Sequence, residues 1–415
     1  MRCLLTSWGS HGDLHPFLAL GRGLLARGHE VSLVGHPDWA TETGAAGLRF
    51  VSTHEPPREG FLRRNPEVMS KKWGGLPALH ALVARGMAPG FDLILAALLD
   101  ELPRHDLLVA HHFVFPAPVA AELTGKPLIT VSLAPGVEPS AYSRPGPNFG
   151  RAGRGPLARA VNRLIWTGGK MTTRLIVDPL VNRLRRRHGL PPVRGVIFEA
   201  RSSLLHLHLY SEHFAPRPPD WHVEKNPTGF CFYDPPAALP PEAEAFLAAG
   251  EAPILFTLGS AAVKTPGDFY KNAVEALNSL GCRGLLLIGP EENRPPNLTE
   301  RILALPYAPY SLLMPRVRGV VHQCGIGTLS HALRAGLPSV ACPFAFDQPN
   351  NARRLEALGV AEILLPHRRT ARDMEDALRR LLAGDASARA QHLGALIRAE
   401  DGVNRACASL EKSLL

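Results

Sequence analysis

The chain has 415 residues, a formal net charge of +9 and 45% apolar residues, with a mean hydropathy of −0.02. That length exceeds the usual single domain, so two domains of about 200 residues are expected, and the composition excludes a disordered or fibrous chain. No run of about 18 apolar residues stands out, so no membrane-spanning helix is expected; the opening MRCLLTSWGS turns polar too early for a signal peptide, which points to a cytoplasmic protein.

The first elements alternate. Leu4 to Ser7 reads as a buried strand, GSHGDLHP as a loop, Phe17 to Ala26 as a helix and Glu30 to Gly35 as a second strand. A strand-helix-strand opening implies a parallel sheet. The rhythm continues with a strand at Leu48 to Val51, a long helical stretch around Leu76 to Leu102, a strand at Asp106 to Ala110, a helix at Pro118 to Leu123 and a strand at Pro127 to Val131. Pro135 to Pro156, rich in Gly, Pro and Ser, is expected to be a loop beside a ligand cleft. Helices fill Leu157 to His188, and Ser203 to Leu209 reads as a strand.

One stretch is biased: Arg144 to Arg187 holds eleven Arg or Lys residues against a single acid, Asp178. Without aromatic interleaving or a nucleic-acid motif, nucleic acid is not an expected partner. The region reads as a solvated helical flap, with peripheral contact to anionic lipid on the inner face of a membrane as the alternative.

The Pro-rich run from Asp234 to Glu242 has the composition of a stiff linker. A second alternating set follows it: strand Ile254 to Leu258, helix Gly267 to Leu280, strand Gly284 to Ile288, strand Val317 to Val321, helix Leu329 to Ala335 and strand Ser339 to Cys342. The tail from Asp373 reads as helices. The expected architecture is α/β, two doubly wound domains with a cleft between them: residues 1–233, a linker at 234–242, residues 243–395, and a final helical segment at 396–415. The six cysteines are scattered without metal-ligand spacing and read as structural thiols. His206, His208 and His213 alternate along a strand and its exit; a metal site there lacks a converging third and fourth ligand, so no metal is expected.

The most informative stretch runs from Tyr307 to Asn351. Its strand stops at His322-Gln323-Cys324-Gly325-Ile326-Gly327-Thr328 and opens directly into a helix. A helix start carries N–H groups without intrahelical partners and a partial positive charge, which suits an anion. The lysine of a phosphate-loop NTPase is missing, as is the GxGxxG of a dinucleotide fold, so the expected ligand is a diphosphate held by backbone dipoles and His322.

This ordered set resembles the donor signature of family-1 glycosyltransferases, which have the GT-B fold of two facing Rossmann-like domains. The resemblance implies an acceptor-binding first domain, a nucleotide-sugar-binding second domain and a last helix crossing back to the first. It assigns Ser260, His322, Gly325, Ile326, Gly327 and Thr328 to the donor diphosphate, Asp347 and Gln348 to the sugar, and Tyr307 to stacking on the base. In the first domain Asp13 falls at the family's general-base position, at the carboxyl end of the first strand; the same Gly-Asp-x-x-Pro pattern also suits a turn or a helix cap. His11 flanks Asp13, and His111 stands where members with a base histidine often carry an orienting aspartate, so an Asp13–His111 pair with exchanged roles is expected. His15, His112, Phe113, Tyr142 and Phe149 are the candidate acceptor contacts.

His331 replaces the glutamate with which many UDP-dependent members grip ribose hydroxyls, which favours a dTDP-sugar. Two runs ahead of the signature, His188 to Phe198 and Phe256 to Gly289, look similar to the bacterial rhamnosyltransferases that form rhamnolipids. The resemblance therefore implies an inverting enzyme that needs neither metal nor cofactor. It would move a sugar from dTDP-L-rhamnose or a related dTDP- or UDP-hexose to a hydroxyl of a hydrophobic acceptor, a hydroxy-fatty-acid lipid or a polyketide or phenolic aglycone. The alternatives are a UDP-glucose-dependent transferase of small hydrophobic products or sterols, a sugar-nucleotide 2-epimerase, and a non-catalytic sugar-nucleotide-binding partner.

Overall fold

Among the described residues twelve short strands, each rich in apolar residues, account for the architecture. In a computed structural model, which describes every residue except 57–60, 70–75, 145–154, 199–203, 222–226 and 415, they form two six-stranded parallel sheets. The chain divides into two compact units: Met1–Val68 with Gly74–Pro235 and Asp401–Leu415, and Met69–Trp73 with Pro236–Glu400.

The first sheet holds β1 (Arg2–Thr6), β2 (Glu30–Gly35), β3 (Arg49–Ser52), β4 (Leu107–His111), β5 (Leu128–Ser132) and β6 (Leu205–His208), in the order β3-β2-β1-β4-β5-β6. The second holds β7 (Ile254–Thr257), β8 (Gly284–Leu287), β9 (Ile302–Leu305), β10 (Gly319–His322), β11 (Ser339–Ala341) and β12 (Ala361–Ile363), in the order β12-β11-β10-β7-β8-β9. Renumbered from its own first strand, the second sheet repeats the 3-2-1-4-5-6 order of the first, the order of a doubly wound dinucleotide-type fold. The central strands are buried along their length, β4 and β10 at every residue, because helices cover both faces of such a sheet; they therefore read as continuous apolar runs without alternation.

Two strands escaped the sequence reading. β9 and β12 are four and three residues long and lie at the two edges of their sheet, where one side is unpaired and the apolar pattern is short. Helix α1 spans His11–Ala26, six residues earlier than expected, so the anticipated GSHGDLHP loop is mostly helix. The reason is local: Ser10 and Asp13 form a capping box that starts the helix ahead of Pro16.

Pro77–Arg104 is helical and contains an 18-residue window of mean hydropathy 1.6, long and apolar enough to cross a membrane. Here it serves the core of the first unit: Val83, Met87, Phe91, Ile94, Leu95, Leu98 and Leu102 pack with Leu4, Leu108 and Val119.

The helices expected across the basic region are one continuous helix, α2 (Pro156–Arg187), opened by a proline at its first position, where the missing N–H costs nothing. The C-terminal helix is Gly402–Lys412. It belongs to the first unit and packs on α1 so closely that a Cβ at Gly23 would lie 2.4 Å from Val403. Arg27 and His29 both bond Glu411, at 2.5–2.9 Å, and hold its carboxyl well below the ordinary range.

Candidate active site

In the first unit the candidate residues gather at the carboxyl ends of β1 and β4. The Asp13 carboxylate accepts the Ser10 N–H at 2.7 Å and the Ser10 hydroxyl at 3.1 Å, both on Oδ2. The other oxygen, Oδ1, lies outside these bonds. Gly9 permits this approach, having φ +137° and no side chain; a Cβ there would sit 2.2 Å from Asp13 Oδ2. The cap and the expected base are thus one group, positioned by the start of its own helix.

His15 Nε2 lies 2.7 Å from Glu42 Oε1 and His11 Nε2 lies 3.6 Å from Glu42 Oε2. Burial pushes the Glu42 carboxyl up, but the bond from His15 and the charges of His15 and His11 outweigh it, and the net shift is downward. Glu42 is a residue the sequence did not flag, since 27 positions separate it from His15 and no motif links them.

His111 ends β4 and is 3% exposed. Burial depresses its pKa, against the opposing pull of the Asp13 carboxylate and the Trp8 backbone. Among the described residues Asp13 and His111 share an electrostatic contact without a hydrogen bond between them, and His111 Nδ1 is buried without a hydrogen-bond partner. His112 donates from Nδ1 to the Val131 carbonyl at 3.0 Å and lies against Phe113 with the rings tilted, centroids 4.0 Å apart. Tyr142 is exposed, beneath the Arg159 guanidinium. Phe149 lies outside the described residues.

The third ligand missing from the His206–His208 pattern is supplied from elsewhere in the fold. Glu138, buried, has Oε1 3.1 Å from His206 Nε2 and 4.0 Å from His208 Nδ1, and the three ligand atoms lie within 4.8 Å of one another. β6 is an edge strand, its first two residues partly and its last two fully buried, and His208 stacks on Trp221 at 5.0 Å. His206 is already engaged at both nitrogens, by Thr130 Oγ1 at 2.5 Å and by Ser132 Oγ at 2.8 Å. His213 stands apart from this group.

In the second unit, β7 and β10 are paired neighbours, Thr257 opposite His322, and their carboxyl ends bring the two glycine turns together. Gly259, at φ +61°, comes so near the other turn that a Cβ would sit 2.3 Å from Gln323 Nε2 and 3.1 Å from Thr328 Oγ1. Ser260 follows it, half-buried. Helix α3 (Ile326–Arg334) begins at Gly325 with no side-chain cap, so Gly327 and Thr328 belong to its first turn. Cys324 holds the left-handed conformation, φ +66°, which is costly for a residue other than glycine.

His322 is the most constrained group here. It is fully buried, and its Nδ1 accepts the Cys324 N–H at 3.1 Å. That bond makes Nε2 the protonated nitrogen, and Nε2–H is buried with no partner among the described residues. Burial pushes the pKa down to about 3, so a neutral ring presents one unspent donor.

Asp347 is the N-cap residue of α4 (Gln348–Ala357). Gln348 Oε1 is spent on its own loop, accepting the Phe344 and Ala345 N–H groups at 2.8 and 3.1 Å. Only the amide nitrogen of Gln348 can still serve the expected sugar contact. Asn351, fully buried and overlooked in the sequence, ties the two stretches together: its amide donates to the Cys324 carbonyl at 2.9 Å and to Asp347 Oδ2 at 2.6 Å. Its position one helical turn after Asp347 was the available signal. Phe346, also unflagged, is exposed at φ +58° beside Asp347. Tyr307 is 68% exposed in the loop after β9, while Tyr310 closes that loop onto β7, its hydroxyl 2.8 Å from Thr257 Oγ1. His331 is held by Arg334, 3.1 Å from its Nδ1, and by the edge of Tyr310.

Two doubly wound units, each a six-stranded parallel sheet in 3-2-1-4-5-6 order, define an α/β protein of the GT-B type. Comparison with known proteins agrees. Residues 227–391 match the UDP-glucoronosyl and UDP-glucosyl transferase family. The chain is 35% identical over 428 residues to the O-mycaminosyltylonolide 6-deoxyallosyltransferase of Streptomyces fradiae, covering 99% of this chain and 97% of that one. Among solved structures it resembles the glycotransferase of kitacinnamycin (TM-score 0.73, 22% identity, 100% and 99% covered). It also resembles the spinosyn rhamnosyltransferase SpnG complexed with thymidine diphosphate (TM-score 0.70, 19% identity, 99% and 100% covered). The chain belongs to the UDP-glucoronosyl and UDP-glucosyl transferase family, and it is a glycosyltransferase.

Proposed function

We propose that this enzyme transfers a deoxyhexose or related hexose from a dTDP-sugar to a hydroxyl of a hydrophobic natural-product aglycone, with inversion and without a metal. The observation that carries the reading is the unspent Nε2–H of His322 beside the uncapped start of α3. A neutral donor and a positive helix end are aimed where a diphosphate would sit, and they meet its charge by fixed dipoles.

In this mechanism Asp13 takes the proton of the acceptor hydroxyl as its oxygen attacks the anomeric carbon. The bond from that carbon to the diphosphate oxygen breaks, and its electron pair leaves with the nucleotide. His322, Ser260 and the N–H groups from Gly325 to Thr328 stabilise the departing diphosphate, while Asp347 and the Gln348 amide hold sugar hydroxyls. Tyr307, exposed, stacks on the base. His331 supports dTDP over UDP, since its ring is engaged with Arg334 and Tyr310 and offers no carboxylate to ribose. The thymidine diphosphate bound by SpnG and the deoxysugar named for the Streptomyces fradiae relative point the same way. That relative favours an aglycone acceptor over the hydroxy-fatty-acid ester of rhamnolipid synthesis.

The test is a thermal-shift comparison of dTDP, UDP and their sugar conjugates, followed by turnover with a chelator present. A ligand at 100 times its Kd stabilises by about 2.7 kcal/mol. The expected result is a larger shift with dTDP and nucleotide release only when a hydroxylated acceptor is added. A preference for UDP would overturn the donor assignment, and nucleotide or epimer formation without acceptor would overturn the transfer reaction.

A further inference from the structure

Behind the open start of α3 runs a chain of hydroxyl groups. The Gly259 N–H donates to Thr257 Oγ1 at 3.3 Å, and Thr257 Oγ1 lies 2.8 Å from the Tyr310 hydroxyl. Burial raises the Tyr310 pKa, and hydrogen bonds with Thr257 and Thr328 oppose the rise. The phenol therefore stays protonated near neutral pH and meets both threonines. Gln323 closes the chain from the other side, its Nε2 donating to Thr328 Oγ1 at 3.2 Å. Thr257, Gln323 and Thr328 are 2%, 5% and 5% exposed, so water competes little for these bonds. One side chain from the segment after β9 thus joins the turn after β7 to the turn after β10.

Counting protons gives the chain a direction. Each hydroxyl holds one proton, and three hydroxyls in a row, Thr257, Tyr310 and Thr328, make two contacts. One proton is left over. The N–H groups of Gly259 and Gln323 occupy the two outer oxygens and offer no acceptor for it. At the Thr257 end the surplus proton would lie at the end of a central strand. At the Thr328 end it lies in the first turn of α3, beside N–H groups that lack intrahelical partners. An anion there selects one order, Thr257 to Tyr310 to Thr328 to ligand, in which each bond polarises the next.

We propose that Tyr310 is a positioning residue for the donor: its phenol orients the Thr328 hydroxyl toward the diphosphate and holds the two glycine turns together as one cradle. The inference rests on the nucleotide-diphosphate reading of this site. Tyr310 acts through Thr328, and its ring separately meets the edge of His331, centroids 5.7 Å apart. Removing the phenol oxygen alone leaves that ring contact in place.

The test is calorimetric titration of Tyr310→Phe and Thr328→Val, singly and combined, with dTDP, inorganic pyrophosphate and thymidine. Tyr310→Phe should bind dTDP and pyrophosphate about tenfold more weakly, the scale of one hydrogen bond to a charged group, and thymidine within about twofold of the wild type. In the Thr328→Val background Tyr310→Phe should weaken dTDP binding no further, because the phenol acts through that hydroxyl. Thr328→Ser against Thr328→Val reads the same chain with Tyr310 untouched: the serine should keep dTDP affinity within about twofold and the valine should lose about tenfold. Wild-type dTDP affinity in Tyr310→Phe, an equal loss for thymidine, additive losses in the double variant, or a serine as weak as the valine would overturn the proposal and leave the diphosphate site standing. A wild-type chain that binds neither dTDP nor pyrophosphate would overturn the site itself, and the proposal with it.

Discussion

One strand-to-helix turn in each sheet poses the same physical problem, and the two are solved in opposite ways. After β1 the chain enters α1, and after β10 it enters α3; both helices begin at the carboxyl end of a central strand. At α1 the chain supplies its own anion, the Asp13 carboxylate, bonded to Ser10 N–H and hydroxyl. At α3 the cap position is Gly325, no side chain closes the end, and the buried His322 Nε2–H just before it is unspent. A helix start that carries an internal carboxylate has a group able to take a proton and little call for an external anion. One left open beside a buried donor has the reverse character. The same topology thus yields a half suited to a base and a half suited to a diphosphate.

Asp13→Asn breaks the first half most deeply. Turnover should fall by about 10²–10⁴-fold, the range for loss of a general base, with donor Kd changed by less than about threefold; unchanged turnover would remove Asp13 from the chemistry. Acid stability tests the second half. His322 has a pKa of about 3 in the folded chain against about 6.5 unfolded, so between those values the unfolded chain binds the extra proton. Stability contributed by the neutral ring is therefore complete above about pH 6.5 and is lost as pH falls toward 3. His322→Gln should flatten that part of the unfolding profile, and an unaltered slope would place the acid sensitivity elsewhere.

Replacing His322 by Ala should weaken donor binding by about 1.5–3 kcal/mol, as for a hydrogen bond to a charged group; calorimetric titration with dTDP reads this directly. Asn351→Ala should lower stability by about 1–3 kcal/mol, because it strands the buried Cys324 carbonyl, and should raise donor KM more than it lowers kcat. A fall in stability with donor KM intact would make Asn351 a packing residue only. The smallest effect sharpens the comparison itself. Gly325→Asp gives α3 the internal anion that α1 has, so the melting temperature should rise, by about 0.5–1 kcal/mol in stability, while donor affinity drops. A variant that binds the donor as tightly as the wild type would separate the open helix end from diphosphate recognition.

Much of this was legible because it is local. The turn from His322 to Thr328 and the pair Asp347-Gln348 are contiguous signals, and the alternation of apolar runs with helical spacing implied two parallel sheets. The edge strands β9 and β12 were too short to show a pattern. The early start of α1 was hidden because Ser10-His11-Gly12-Asp13 suits a loop as well as a capping box.

What the sequence determined by itself was the class of fold, the glycine turn from His322 to Thr328 and the position of Asp13 at the end of the first strand. Tertiary structure alone decided the rest. It joined Glu42 to His15, Glu138 to His206 across 68 positions, and Asn351 to Cys324 across 27, and it spent the Gln348 carbonyl on its own loop. It also determined that Leu157, Leu164 and Leu175 of α2 face outward while Val177, Val181 and Leu184 face in. These outcomes depend on which strand ends lie side by side and which helix face meets a sheet. A carboxylate, amide or methyl group has no meaning for its partner until burial removes water as the competing one.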